Sequence, residues 1–215
     1  MVRNKMTKII GVTGGVGCGK TAVLQALAES LPCLILYADD IAKELEEPGM
    51  PCYAPLLHAL GEEGLLAEDG RIDRAEMARR IFADPSLLQE INAIVHPAVR
   101  RYVEEEIAAA KEEEIPYVFL EAALLIEAGY LDLLDALWVV TAPREVRVQR
   151  LMASRGYSEE KCQAIMASQL QEEDFRRYAD AVLDNGGSME ETLTQAKDLL
   201  SLDGGAAGDA REEEA

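Results

Sequence analysis

Residues 8–13, 34–37, 117–120, 137–140 and 181–183 are short, continuous apolar runs. Runs of this length without polar alternation read as strands buried on both faces, the habit of a parallel sheet. Between them the apolar positions recur at helical spacing. Val23, Leu24, Leu27 and Ala28 form one stripe over 22–29, and a second helix is expected from about Asp40 to Glu47. Leu56, Leu57 and Leu60 form a third stripe, closed by Gly61. Asp73 is placed to cap the next helix, and Asp84-Pro85 to open another carrying Leu87, Leu88, Ile91 and Ile94. His96-Pro97 is expected to interrupt that helix, with a further acidic-ended helix running to Glu114. Helices are also expected from Pro143, from Ser158 as cap, and from Ser188 after the turn at 184–187. From Asp203 onward the chain is rich in Gly, Ala and Glu and reads as a disordered acidic tail.

Strands alternating with helices imply a parallel α/β sheet with right-handed crossovers. Residues 52–114 are helical in pattern throughout, which reads as a helical insertion between the second and third strands. In open α/β sheets ligands bind beyond the carboxyl ends of the strands. Four polar features fall at such ends: a glycine-rich stretch after the first run, Asp39, Glu121 and Thr141.

The glycine-rich stretch is Gly14-Gly15-Val16-Gly17-Cys18-Gly19-Lys20-Thr21. It has the Walker A spacing and sits between a strand pattern and a helix pattern, as a phosphate cradle requires. Gly15, Val16, Gly17, Cys18, Gly19, Lys20, Thr21 and Ala22 are the expected nucleotide contacts. Lys20 would reach the β- and γ-phosphates of ATP, and the Thr21 hydroxyl would sit on Mg²⁺. A ligand-free glycine turn is the bland alternative. Phosphoryl transfer further needs a group to orient or deprotonate an acceptor. Asp39 is the candidate general base or orienting carboxylate, whereas Asp40 reads as a helix cap. Glu121 either holds magnesium through water or packs near the loop; the pattern leaves both open. Arg144, Arg147, Arg150 and Arg155 form the densest basic cluster, with Arg150 the strongest candidate for a phosphate contact. By residue type alone, His96 reads as a turn or cap residue.

Charge and cysteine content narrow the classes. A formal net charge of −19 over 215 residues argues against nucleic acid or anionic membrane as partner. The four cysteines, Cys18, Cys33, Cys52 and Cys162, have neither metal-type spacing nor disulfide density. No run is apolar enough to span a bilayer, and no signal-type core follows the basic N-terminus. The expectation is a cytoplasmic protein, with monomer the simpler state and a small homo-oligomer equally allowed. Three functional readings are carried: a small-molecule kinase, a regulatory ATPase, and a nucleotide-binding module without activity.

Taken together the motifs resemble the dephospho-CoA kinase family over about residues 9–200. The resemblance rests on the Walker A loop, Ala38-Asp39 with Ile41-Ala42, Glu47-Pro48-Gly49, Ile72-Asp73-Arg74, Ile81-Phe82 and Ile94-Val95-His96-Pro97. It continues through Leu124-Leu125-Ile126-Glu127, Gln149-Arg150-Leu151-Met152, Gln169 and the segment 179–186 ending Asp184-Asn185-Gly186. It implies a P-loop NTPase fold with a five-stranded parallel core (1–48, 115–142 and 178–202). A helical coenzyme-A-binding insertion (49–114) and a helical lid (143–177) complete the implied layout. It implies transfer of the γ-phosphate of MgATP to the ribose 3′-hydroxyl of dephospho-coenzyme A. In that scheme Asp39, Lys20 and Arg150 are catalytic, and Arg74, Phe82, His96 and Glu127 face the acceptor. The chain departs from the usual pattern at Tyr37, Cys18 and Ala123. It also departs at Phe175, in the place of a lid arginine: either Arg176 or Arg177 serves instead or that contact is absent.

Overall fold

The computed structural model describes residues 6–126, 128–169 and 172–205. The apolar runs become five strands: β1 (Lys8–Thr13), β2 (Leu34–Tyr37), β3 (Tyr117–Glu121), β4 (Ala136–Thr141) and β5 (Ala181–Asp184). They form one sheet in the order β2-β3-β1-β4-β5. β1 therefore lies in the middle, parallel to β3 on one side (Ile10 against Phe119) and to β4 on the other (Val12 against Trp138). β4 pairs in parallel with β5. This is the parallel α/β sheet the runs imply.

The chain divides into two compact units, one made of residues up to Ile35 with those from Ile115 onward, the other Leu36–Glu114. In the first unit the core is built from Ile10, Val12, Phe119, Leu120, Trp138 and Leu183 of the sheet, all buried. Phe119 and Trp138 meet with ring centroids 5.7 Å apart in a tilted pair, a favoured aromatic arrangement. Carboxylates tie the strand starts: Asp135 accepts from the Ile9 amide and Asp180 from the Leu137 amide, each at 2.7 Å. The helices here are α1 (Lys20–Ala28), α6 (Arg144–Arg155), α7 (Glu159–Ala167), α8 (Glu172–Tyr178) and α9 (Met189–Gly205). Ser188 and Glu191 form a capping box at the start of α9, with the Ser188 amide donating to Glu191 Oε2 at 2.9 Å. α9 continues through Asp203 to Gly205, past the expected start of the tail, because Ala196 and Leu200 keep a buried face. The remainder of the expected tail lies outside the described residues.

The second unit holds α2 (Ala38–Leu45), α3 (Tyr53–Leu60), α4 (Arg74–Ala83) and α5 (Ser86–Glu112). α2 begins two residues earlier than the sequence reading places it, with Asp39 and Asp40 both in its first turn. There the helix dipole favours acids. The expected break at His96-Pro97 does not occur. α5 runs straight through Pro97, because Ile91, Val95, Val99, Val103 and Ile107 make one buried seam on both sides of it. Proline removes a single amide donor, and that seam outweighs the loss.

Asp73 caps α4 as its position predicts, accepting from the Ala75 and Glu76 amides at 2.8 and 3.2 Å. Arg80 of α4 donates to the carbonyls of Leu60 and Gly61, at 2.6 and 2.7 Å, and of Glu63, satisfying the end of α3. Glu76 holds Arg79 and Arg80, and hydrogen bonds from both push its carboxyl down to about 2 from the ordinary 4.5. What this group contributes to folding is therefore present above about pH 4.5 and lost as the pH falls towards 2. Arg80→Met should lower stability by about 2 kcal/mol, read as a shifted denaturation midpoint, since it strips charged donors from several carbonyls at once. An unshifted midpoint would show that water replaces the guanidinium at no cost.

Candidate active site

Gly14 to Thr21 connect β1 to α1. Gly14 has φ of +137°, and a Cβ there would lie 2.2 Å from the Val140 carbonyl oxygen. Only glycine lets the loop rest directly on β4 in this way. α1 begins at Lys20, and its first turn contains no acid. Loop amides and helix N-terminus therefore form an electropositive end suited to an anion.

Side chains converge on this loop from several elements. Lys20 Nζ donates to the Gly14 carbonyl at 2.9 Å. Thr21 Oγ1 donates to Glu121 Oε2 at 2.9 Å, so the acid at the end of β3 stands beside the loop. Arg147 Nε donates to the Val16 carbonyl at 2.8 Å. Arg150 donates through Nη1 to the Cys18 carbonyl (3.3 Å) and through Nη2 to the Asn185 carbonyl (2.8 Å). The Val16 amide donates to Gln169 Oε1 at 2.8 Å, and Asn185 Nδ2 donates to the Cys18 carbonyl at 2.7 Å. Cys18 itself is buried, consistent with a space-filling role, and Ala22 is exposed in the first turn of α1.

Next to the loop, a cavity of about 460 Å³ is lined by Thr141, Pro143, Arg144, Arg147, Arg176 and Asp184. Phe175 is buried in α8, whereas Arg177 pairs with Asp174 at 3.4 Å. Of the two arginines that could replace the lid arginine, Arg176 is therefore the one at the cavity. Thr21 and Glu121 offer a hydroxyl and a carboxylate oxygen side by side, a hard-oxygen pair that fits Mg²⁺. Among the described residues no group of three or more His, Cys, Asp or Glu gathers to hold a metal.

The other expected site residues lie in the second unit. Asp39 is exposed in the first turn of α2, directly after β2, while its neighbour Asp40 pairs with Lys43 at 2.6 Å. Arg74 Nη1 lies 2.8 Å from the buried Oε2 of Glu46, a charge contact without hydrogen-bond alignment. Phe82 is 90% exposed, unusual for a phenyl ring, and His96 is exposed on α5. Glu127 lies outside the described residues. The sequence reading groups Arg147 with Arg150, its strongest arginine, but gives no role to Gln169 or Asn185. For those two only the motif segments around them offer a signal.

A parallel sheet with a glycine loop after its central strand, a Lys-Thr pair opening the next helix and an acid from the neighbouring strand define a P-loop kinase fold. No helix among the described residues is long and apolar enough to cross a membrane. The family model for dephospho-CoA kinase matches residues 8–191. The dephospho-CoA kinase of Corynebacterium jeikeium is 40% identical over 186 residues, covering 86% of this chain and 94% of that one. The crystal structure of TT1252 from Thermus thermophilus superposes with a TM-score of 0.78 at 37% identity, covering 93% of this chain and 98% of that one. The dephospho-CoA kinase from Campylobacter jejuni has the same fold, with a TM-score of 0.67 at 22% identity over 91% and 96% of the two chains. This chain belongs to the dephospho-CoA kinase family.

Proposed function

We propose that the chain transfers the γ-phosphoryl group of ATP to the ribose 3′-hydroxyl of dephospho-coenzyme A, giving coenzyme A. The observation that carries this reading is the family match, which runs through the loop, the helical unit and the arginine-bearing segment without a break. Loop amides and the N-terminus of α1 hold the phosphates, and Lys20 exchanges the Gly14 carbonyl for phosphate oxygens when these arrive. Thr21 and Glu121 would hold Mg²⁺, which when bound neutralises phosphate charge. Arg147, Arg150 and Arg176 add cations at the loop and the cavity, where charge spreads in the transition state. We assign Asp39 to the acceptor hydroxyl, as base or as orienting group, and Arg74, Phe82, His96 and Glu127 to the rest of the acceptor. The exposed Phe82 ring suits an apolar or aromatic part of that molecule. The working form is a cytoplasmic monomer.

A product assay by mass tests the proposal. With ATP and dephospho-coenzyme A the acceptor should gain one phosphate, and fragmentation should place it on the ribose 3′-oxygen. Slow ATP hydrolysis that this acceptor does not stimulate would reject the reading in favour of a regulatory ATPase. Faster transfer to a nucleoside or polyol would reject it in favour of another kinase.

A further inference from the structure

Asn185 stands just past the end of β5, and Thr192 one turn into α9; both are buried. Asn185 Nδ2 donates to the Cys18 carbonyl at 2.7 Å, and Thr192 Oγ1 lies 3.0 Å from Asn185 Oδ1, its shortest contact. The amide group is thus held at both ends, with its nitrogen fixed towards the loop. A Cβ on Gly19 would lie 2.4 Å from Asn185 Nδ2, so the carboxamide packs where only a glycine leaves room. Across a trans peptide the carbonyl of one residue and the N–H of the next point in opposite directions. Pinning the Cys18 carbonyl towards Asn185 therefore fixes the Gly19 N–H on the opposite side of that peptide.

We propose that Asn185, oriented by Thr192, is a positioning residue that locks the Cys18–Gly19 peptide with its N–H turned to the phosphates. Without the lock only the longer Arg150 contact, 3.3 Å, holds that carbonyl, and the peptide flips more readily because Gly19 tolerates both signs of φ. A flipped peptide presents a carbonyl oxygen to an incoming phosphate, and one attraction becomes a repulsion. The proposal rests on the reading that the loop grips the phosphates of ATP.

Calorimetric titration of the full chain with ATP, inorganic tripolyphosphate and dephospho-coenzyme A tests it. Asn185→Ala should weaken ATP and tripolyphosphate by the same factor, about tenfold, the worth of one well-placed hydrogen bond to an anion. Dephospho-coenzyme A affinity should stay unchanged. A general structural defect would instead lower the active fraction and leave all three dissociation constants alone. Thr192→Val keeps the shape but removes the hydroxyl. It should produce a smaller loss in the same two ligands, with Thr192→Ser recovering most of it; this pair decides the matter if Asn185→Ala does not fold. Unchanged ATP and tripolyphosphate affinities in the folded variants would overturn the proposal, as would a loss confined to ATP, which would place Asn185 at the base. Wild-type protein that binds neither ATP nor tripolyphosphate would overturn the phosphate-loop reading itself.

Discussion

Lys20→Ala should reduce phosphoryl transfer by about a thousandfold or more while leaving the fold intact. Its ammonium group is half-buried at the start of α1 and donates to the Gly14 carbonyl at 2.9 Å. The loop thus keeps a cation close to where phosphate charge must develop. Removing it costs most in the transition state, when charge moves onto the oxygens of the transferring group. Lys20→Arg should fail nearly as badly, because a planar fork does not replace a compact point charge in a cradle of this size. Coupled ATP consumption with dephospho-coenzyme A measures the rate, and circular dichroism with thermal melting checks the fold. A Lys20→Ala enzyme within tenfold of wild type would remove Lys20 from the chemistry.

Asp39→Asn should lower kcat by about a hundredfold to ten-thousandfold with ATP affinity retained. The substitution is isosteric, and Asp39 is exposed, so no buried partner is lost. Its structural effect is limited to a first-turn acid of α2, about 0.3–1 kcal/mol of helix-dipole interaction. A large fall in rate on so small a structural change would mark a chemical role. A variant that turns over near the wild-type rate would reduce Asp39 to a helix-start residue like Asp40.

The strands were legible because a parallel sheet buried on both faces leaves unbroken apolar runs, and all five were found close to their observed bounds. The glycine loop was legible for a different reason: its backbone requirements force residue types at fixed spacing. Helix continuity was less so. Pro97 looks like a stop, and only the packed seam from Ile91 to Ile107 reveals that tertiary contacts override it. The partners of the loop were the least accessible. Thr21 and Glu121 are 100 positions apart and Arg147 and Val16 are 131 apart, so neither pairing leaves a local pattern. That Glu121 stands 2.9 Å from the Thr21 hydroxyl, two hard oxygens side by side, is likewise invisible until the strands are placed.

The grip on the Cys18 carbonyl comes from Arg150, 132 positions later, and from Asn185, 167 positions later. On the ribosome, the cradle is therefore among the first parts made and among the last completed. A nascent chain that stops short of Asn185 has the partners of β1 in β3 and β4 yet lacks the shorter of the two fasteners of its own glycine loop. The full grip on that carbonyl thus waits until synthesis has passed the final strand.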